Sequence, residues 1–270
     1  MTNGHPGPGE GAFGLADVVG EVVMLAGAGS AVMYQLARPE VGLGVVEHST
    51  TLDRPLDRLR TTLAYVYVAV LGTEEERRAL AAMVDRRHGP VRAAGRYSAF
   101  DPELQLWVAA TLARAGETIL ERVFGPMDAA TRERVYRDSW ILGTALQVTP
   151  EMWPRTRAEF EDYWQSSIAL LAPEPSVQRL ARSLLSTRAV PLPLRPVQPL
   201  QSLVARGNLD PRTREVLDLP WSARDQVRYD RFWRRLPPVY RRVPREVRQL
   251  PARMVLADVR RRLRAGRRVI

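Results

Sequence analysis

The chain has 270 residues, of which 45% are hydrophobic and 26% charged, so it is long enough and apolar enough to bury a globular core. It contains no cysteine, which excludes disulfides, iron–sulfur clusters, zinc–thiolate sites and a thiolate-ligated haem. All 40 basic residues are arginine, so the chain contains no lysine. The absence of lysine excludes Schiff-base chemistry on a lysine side chain.

The formal net charge of +10 is concentrated at one end of the chain. Between residues 224 and 270 there are 16 arginines and four acidic residues, so the rest of the chain sums to about −2. A nearly neutral body with a basic tail does not indicate a nucleic-acid-binding protein, because no known binding motif or aromatic platform accompanies the arginines.

The amino-terminal sequence shows no targeting signal. Met1 to Gly11 is rich in glycine and proline and lacks both a basic start and an apolar run. The most apolar segment, Val18 to Leu36, contains Glu21 and several glycines, which is typical of a buried helix rather than a membrane span. These features predict a cytoplasmic protein.

Apolar residues recur with helical spacing along nearly the whole chain, and no segment alternates long enough to predict a sheet. We therefore predict an all-α fold with a single helical domain over residues 14–220, preceded by a flexible amino terminus (1–13) and followed by a basic helical extension (221–270) packed on the same domain.

The predicted helices follow from starting and stopping signals. One helix, bent near Gly27 and Gly29, ends before Arg38-Pro39. A Thr73-x-x-Glu76 capping box begins the helix that ends at His88. In chain order the predicted helices are 14–37, 55–71, 74–88, one that begins at Asp101-Pro102, 128–146, 157–171, 176–186, 222–236 and 244–263. The proline-rich connector 191–199 is predicted to be extended and packed across the surface.

Only three histidines could serve as metal ligands, and they differ in position. His5 lies in the flexible amino terminus, His48 follows Glu47 at a loop exit, and His88 ends a helix. His88 shares an apolar stripe with Leu80 and Val84, where a histidine is most often a structural residue of the core or the helix end.

The preceding helix carries Arg58 and Thr62, which share one helix face because they are four positions apart. A solvated arginine is the ordinary interpretation in so arginine-rich a chain. The functional interpretation is a positive donor and a hydroxyl held over a cavity, where they could bind a haem propionate or oxygen on a metal. The composition of the chain does not distinguish a solvated arginine from a functional one.

A series of short motifs runs through the first half of the chain in a fixed order. They are Gly27–Pro39, Glu47–Ser49, Arg54–Thr62, Leu71–Thr73, Val84–Val91 and Tyr97–Val108, continued by Gly143–Leu146 and Pro150–Pro154. In sequence and order they resemble the family that contains the bacterial latex-clearing proteins and the fungal MpaB-type oxygenases.

This resemblance implies a b-type haem held by one histidine in a helical fold with a globin-like core. It implies His88 as the iron ligand and places Arg58 and Thr61 in contact with the haem, with Arg58 and Thr62 as catalytic residues. Thr61 stands where latex-clearing proteins have a lysine, which argues against rubber cleavage and leaves the sixth iron position to water, a small ligand or nothing. Arg38 stands where many relatives have a histidine, and Glu47 is the nearest candidate for the family's general base.

The resulting prediction is a haem b-dependent oxygenase or oxidase that uses dioxygen or peroxide on an apolar small molecule, such as an isoprenoid. Two alternatives stay open. One is a non-haem iron site formed by His48, His88 and a carboxylate. The other is a non-catalytic helical protein that has lost haem and binds a lipid or a protein partner.

The basic tail carries its own pattern. In the stretch 252–268, Leu256, Val259 and Leu263 share one helix face and arginines occupy the other, which is the pattern of a basic amphipathic helix. Such a charge run is usually a solvated face. The alternative is peripheral contact with anionic lipid or with an acidic partner.

Overall fold

The computed structural model describes residues 13–48 and 55–269, and these residues form an almost entirely helical protein. The first helices are α1 Leu15–Val18, a 3-10 turn Val22–Met24, α2 Leu25–Ala37, α3 Pro39–His48, α4 Pro55–Leu71, α5 Glu74–His88 and α6 Pro102–Phe124. The all-α prediction is confirmed. Within the described residues the only sheet is a two-stranded hairpin, β1 Arg92–Ala93 and β2 Tyr97–Ser98.

The second half of the described chain is also helical. Its α-helices are α7 Ala129–Asp138, α8 Ile141–Thr144, α9 Arg157–Ala169, α10 Pro175–Leu184, α11 Gln198–Gly207, α12 Pro211–Val216, α13 Ala223–Tyr240, α14 Arg245–Arg248 and α15 Leu250–Arg264. Two 3-10 turns, Thr187–Ala189 and Leu192–Leu194, lie between α10 and α11.

Where the sequence carried explicit capping signals, the helix starts are confirmed. The Thr73 hydroxyl accepts a hydrogen bond from the Glu76 amide (3.2 Å), and the Glu76 carboxylate accepts one from the Thr73 amide (3.0 Å). The Asp101 carboxylate likewise accepts hydrogen bonds from the amides of Glu103 and Leu104 at the start of α6. Each side chain satisfies a backbone donor that a helix start otherwise leaves unpaired.

The single helix predicted over residues 14–37 is wrong, because the chain breaks at Gly20 and Glu21. The Glu21 side chain is completely buried and accepts a hydrogen bond from the Tyr240 hydroxyl at 2.7 Å, so the backbone turns to direct it inward. Helix α2 runs without interruption through Gly27 and Gly29. They let neighbouring helices approach α2, since a Cβ on Gly29 would lie 2.7 Å from that of Ala205 in α11.

Several elements were missed or misplaced by the sequence analysis. Helix α3 was not predicted, and neither were α11, α12 or the hairpin. The connector 191–199 is not extended, because it contains a 3-10 turn and the start of α11. The segment 128–146 is divided between α7 and α8, and α13 continues past residue 236 through Pro237 and Pro238.

The central core is built around α2 and α6. Trp107 is 1% exposed, and its indole N–H donates to the backbone oxygen of Tyr34 at 3.2 Å. Its ring also lies against that of Trp164 from α9, with centroids 5.2 Å apart. Large aromatic side chains of this kind contribute much of the buried apolar area, so this core fixes α6 as the platform for the neighbouring helices.

The basic tail is docked on the helical body. The apolar face of α15 (Ala252, Leu256 and Val259) is buried in a cluster that includes Tyr67 and Val68 of α4. The apolar stripe that the sequence analysis offered for membrane contact is therefore covered by the protein itself, and contact through the tail stays a prediction. Among the described residues, none of the helices combines the length and apolar character that crossing a bilayer requires.

Candidate active site

Helices α4 and α5 form a hairpin that brings the predicted site residues to one end. The two helices are joined by Gly72 and Thr73, and the Arg77 guanidinium ties them by donating to the Ala69 backbone oxygen at 2.8 Å. In an antiparallel pair of helices the start of the first lies beside the end of the second. Arg58, near the start of α4, and His88, the last residue of α5, are therefore neighbours.

The environment of His88 favours a neutral imidazole. Burial lowers the pKa of His88 below its ordinary value; the Asp85 carboxylate opposes this shift, and the positive charge of Arg58 reinforces it. Within the described part of the chain, the buried Nδ1 atom of His88 has no hydrogen-bond partner. A neutral imidazole with an unused nitrogen is what metal ligation by histidine requires.

An aromatic residue lies beside this histidine. The ring of Phe100 stands edge-on to that of His88, with centroids 6.3 Å apart and an interplanar angle of 77°. Phe100 is nevertheless 38% exposed, so a large part of its ring contacts no other residue of the described chain. The His88 ring therefore adjoins a partly exposed apolar side chain.

The other predicted site residues lie on the first turns of α4. The side chain of Arg58 is exposed, and so is that of Thr62 one turn later. The Thr61 hydroxyl donates to the Arg58 backbone oxygen at 3.0 Å, so its proton is used within the helix. The structure thus brings Arg58 towards His88, while the motif residues 49–54 and His5 lie outside the described residues.

A chain of amides holds the end of α5 in place. The Gln147 side-chain N–H donates to the Asp85 carboxylate at 2.8 Å, and the Gln147 backbone N–H donates to the Gln105 side-chain oxygen at 3.0 Å. Gln105 also donates to the backbone oxygen of Ala99 at 2.7 Å. Because Ala99 precedes Phe100 and Asp85 lies one turn before His88, this network fixes the two rings relative to each other.

A second polar cluster lies at the end of α3. The Tyr97 hydroxyl donates to one Glu47 carboxylate oxygen at 2.5 Å, and Arg96 donates to the other at 2.8 Å. The hydrogen bond from Tyr97, and then that from Arg96, lower the pKa of Glu47. His48 ends the same helix, with its Nε2 atom 3.1 Å from the Tyr97 hydroxyl. Glu47 is thus engaged by two donors, which weakens it as a general base.

A non-haem iron centre is not assembled in the part of the chain that the structure describes. No group of three or more histidine, aspartate or glutamate side chains in these residues is arranged to hold a metal ion. His48 is engaged with Tyr97, whereas His88 faces Phe100. The alternative that joins His48, His88 and a carboxylate gains no support from this arrangement.

Sequence reasoning missed the residues that position the site. Phe100 lies within a recognised motif but carried no signal of its own, and Gln105 and Gln147 are separated by 42 positions. Their pairing depends on how α6 packs against the turn after α8, so no local pattern could have indicated it. The short hairpin that carries Arg96 and Tyr97 was also missed, although both residues stand near a motif.

The described residues thus combine an almost entirely helical fold with a desolvated histidine beside an arginine. Over residues 16–242 the chain matches the family described as ER-bound oxygenase mpaB/B'/Rubber oxygenase, catalytic domain, and it belongs to that family. The resemblance noted from the motifs is thereby confirmed.

Two mycobacterial proteins are similar to this chain over most of its length. "Uncharacterized protein Mb2261" of Mycobacterium bovis and "Uncharacterized protein Rv2237" of Mycobacterium tuberculosis are each 38% identical to it over 248 residues, covering 88% of this chain and 97% of the relative. No solved structure is significantly similar to the chain.

Proposed function

We propose that this protein binds haem b through His88 and oxidises an apolar small molecule, of which isoprenoids are one class, with dioxygen or peroxide. The observation that supports the proposal is the Nδ1 atom of His88, which is buried and has no hydrogen-bond partner among the described residues. A buried polar atom without a partner is costly, and a coordinated metal would satisfy it.

The residues around His88 fit a haem in three respects. The imidazole is kept neutral by burial and by Arg58, as ligation requires. The partly exposed ring of Phe100 offers apolar surface to a macrocycle. A propionate is an anion, and Arg58 can bind it through charge-assisted hydrogen bonds. Bound haem would supply the redox chemistry with oxygen or peroxide.

Each residue of the candidate site has a distinct role in this proposal. His88 provides the nitrogen ligand, and the network from Asp85 through Gln147 to Gln105 holds its helix end in position. Arg58 and Thr62 present a cationic donor and a hydroxyl from one face of α4, where they would hold a haem propionate or orient dioxygen. Thr61 contributes only an acceptor, because its proton is already donated to the backbone.

Titration of the protein with haemin, followed by visible absorption, tests the proposal. Wild-type protein should give a saturable haem spectrum with a Soret band, and His88→Ala should weaken binding by about tenfold or more and change the band. His48→Ala is the matched control, because His48 is an exposed histidine engaged with Tyr97. Its spectrum should match that of the wild type.

Two results would overturn the proposal. One is a wild-type protein that does not take up haemin, which would favour a non-catalytic role. The other is a His88→Ala protein whose haem spectrum is the same as that of the wild type. A further check is His88→Gly with added imidazole, which should restore the wild-type band if His88 is the ligand.

A further inference from the structure

The segment between α10 and α11 exposes an unusual run of apolar side chains. From residue 191 to residue 200 every residue except Gln198 is exposed. The exposed fractions of its large apolar residues are 72% for Leu192, 42% for Leu194, 57% for Val197 and 40% for Leu200. We call residues 191–200 the leucine–proline segment. Contiguous exposed apolar surface of this kind marks interaction sites in soluble proteins.

The backbone holds these side chains in the exposed position. Pro191, Pro193, Pro196 and Pro199 lie within the segment and restrict its φ angles. Leu192–Leu194 forms a 3-10 turn, and the Gln198 side chain anchors the segment by donating to the Leu184 backbone oxygen at 3.1 Å. Because little conformational freedom is left to lose, binding through this segment costs less entropy than binding through a flexible loop.

The part of the sequence that contains the segment carries charges of one sign only. No acidic residue occurs between Glu174 and Asp210, whereas this stretch contains five arginines. Arg188 and Arg195, which flank and interrupt the apolar run, are both exposed. Neither forms a salt bridge with any residue that the structure describes, so both guanidinium groups are available to an anionic partner.

We propose that the leucine–proline segment docks on the surface of an anionic lipid bilayer. The leucine and valine side chains enter the boundary between headgroups and acyl chains, and Arg188 and Arg195 bind the lipid phosphates. This charge complementarity favours a bilayer over a neutral apolar partner. The 3-10 turn at Leu192–Leu194 interrupts the polyproline II conformation that proline-recognising domains bind, so such a domain fits less well.

Sedimentation of the full chain with extruded vesicles tests this proposal. The vesicles are phosphatidylcholine alone or phosphatidylcholine mixed with phosphatidylglycerol. Wild-type protein should bind the mixed vesicles about tenfold or more tightly than vesicles of phosphatidylcholine alone. Added salt should weaken its binding to the mixed vesicles. Leu192→Asp combined with Leu194→Asp should lower binding to the mixed vesicles by about tenfold or more. Arg188→Gln combined with Arg195→Gln should remove most of the preference for anionic vesicles.

Leu170→Asp is the matched control, because Leu170 is also an exposed leucine (57%). It precedes α10 and the leucine–proline segment follows it, so a helix of ten residues, about 15 Å long, lies between them along the chain. Its binding should equal that of the wild type. Thermal melting of each variant should be unchanged, because every substituted side chain is exposed.

Three results would overturn the proposal. The first is a wild-type protein that binds neither kind of vesicle. The second is an aspartate pair that binds mixed vesicles as well as the wild type does. The third is concentration-dependent self-association, measured by light scattering, that the aspartate pair abolishes without any vesicle binding, because a second copy of the chain would then cover the segment.

Discussion

Glu21 is a carboxylate with no access to solvent, and side chains from the far end of the chain converge on it. Tyr240 donates to it at 2.7 Å, Gln249 donates at 3.2 Å, and the Arg248 Nε atom lies 3.3 Å away. Burial raises the pKa of Tyr240, which keeps its hydroxyl protonated as a donor. The cost of burying the Glu21 charge is thus offset by an arginine and two hydrogen bonds, and removal of Glu21 would leave Arg248 without its acidic partner.

Glu21→Ala should therefore be strongly destabilising. We expect a loss of about 3–5 kcal/mol in the free energy of unfolding, because Arg248 becomes an uncompensated buried charge. Urea unfolding followed by circular dichroism measures this loss. Glu215→Ala is the control, because its ion pair with Arg212 is exposed and contributes about 0–1 kcal/mol. Equal losses in the two variants would contradict the interpretation.

Tyr240→Phe isolates one hydrogen bond of the same cluster. It removes the donor to Glu21 but keeps the aromatic ring, so we expect a loss of about 1–3 kcal/mol, smaller than that of Glu21→Ala. The same unfolding measurement applies. A stability equal to the wild type would show that the buried carboxylate does not depend on the tyrosine.

At the scale of elements, Glu76 connects the start of α5 to the tail. Its carboxylate caps the helix at Thr73 and also accepts a hydrogen bond from Arg260 of α15 at 2.9 Å. The hydrogen bond from Arg260 is the largest cause that lowers the pKa of Glu76. A lowered folded-state pKa means that the stabilisation is complete above the unfolded-state pKa and is lost as the pH falls through the folded-state pKa.

Glu76→Gln should accordingly lower the free energy of unfolding by about 1 kcal/mol at neutral pH. The difference in unfolding free energy from the wild type should shrink as the pH falls below the ordinary glutamate value of 4.5. Unfolding curves over that pH range test the sign. Glu75→Gln, an exposed neighbour in the same turn, should show a smaller and flatter difference. A Glu76→Gln difference that grows with acidity would contradict the prediction.

The two faces of α15 should respond differently to truncation of their side chains. Leu256 is 9% exposed and packs in the cluster with α4, so Leu256→Ala should cost about 2–5 kcal/mol through lost burial and a cavity. Met254 lies on the outer face and is 64% exposed, so Met254→Ala should change the stability by about 0.5 kcal/mol or less. Thermal denaturation distinguishes them, and similar midpoints would contradict the observed docking.

The elements that could be predicted from sequence carry local signals, and those that could not depend on tertiary contacts. Thr73, Asp101 and Pro55 each mark a helix start by chemistry that acts within a few residues. Helix α3 carries Gly42 and Gly44, which disfavour a helix in isolation, but a Cβ on Gly42 would lie 2.7 Å from Val177 of α10. A Cβ there would also lie 2.5 Å from the Leu36 backbone oxygen, so tertiary packing on both sides explains the glycine.

The residues of the candidate site also fall into those that local sequence indicates and those that depend on tertiary contacts. Arg58, Thr62 and His88 followed from short contiguous motifs, so the resemblance could indicate them by position. Phe100 and the network through Gln147 depend on which turn of α6 meets the end of α5, which no local pattern specifies. The resemblance supplied candidate ligands, and the structure supplied the residues that orient them.

At the scale of the whole molecule, the tail completes the body that carries the site. The family match ends at residue 242, whereas α14 and α15 lie beyond it, and α15 packs on α4, one of the two site-bearing helices. The tail also supplies Arg248 to the buried Glu21. The helical body therefore depends on residues outside the region that the family shares.

Removal of residues 243–270 should lower the thermal midpoint and weaken haemin uptake, because the apolar face of α4 becomes exposed and Glu21 loses its arginine. Differential scanning calorimetry and the absorption titration measure the two effects. Addition of a separate peptide of residues 243–270 should raise the thermal midpoint of the shortened protein part of the way back to that of the full chain. An unchanged midpoint in the shortened protein would contradict this role for the tail.

The contacts between Glu21 and the region 240–249 join parts of the chain that are more than 200 residues apart and are therefore made at well-separated times. A ribosome adds about 5–20 residues per second, so the partners of Glu21 are absent for many seconds after Glu21 itself has been made. During that interval Glu21 and the apolar face of α4 must stay solvated or be covered by a chaperone. The final closure of this protein therefore waits until residues 240–249 have been made, and the helices that carry Arg58 and His88 reach their full stability only after it.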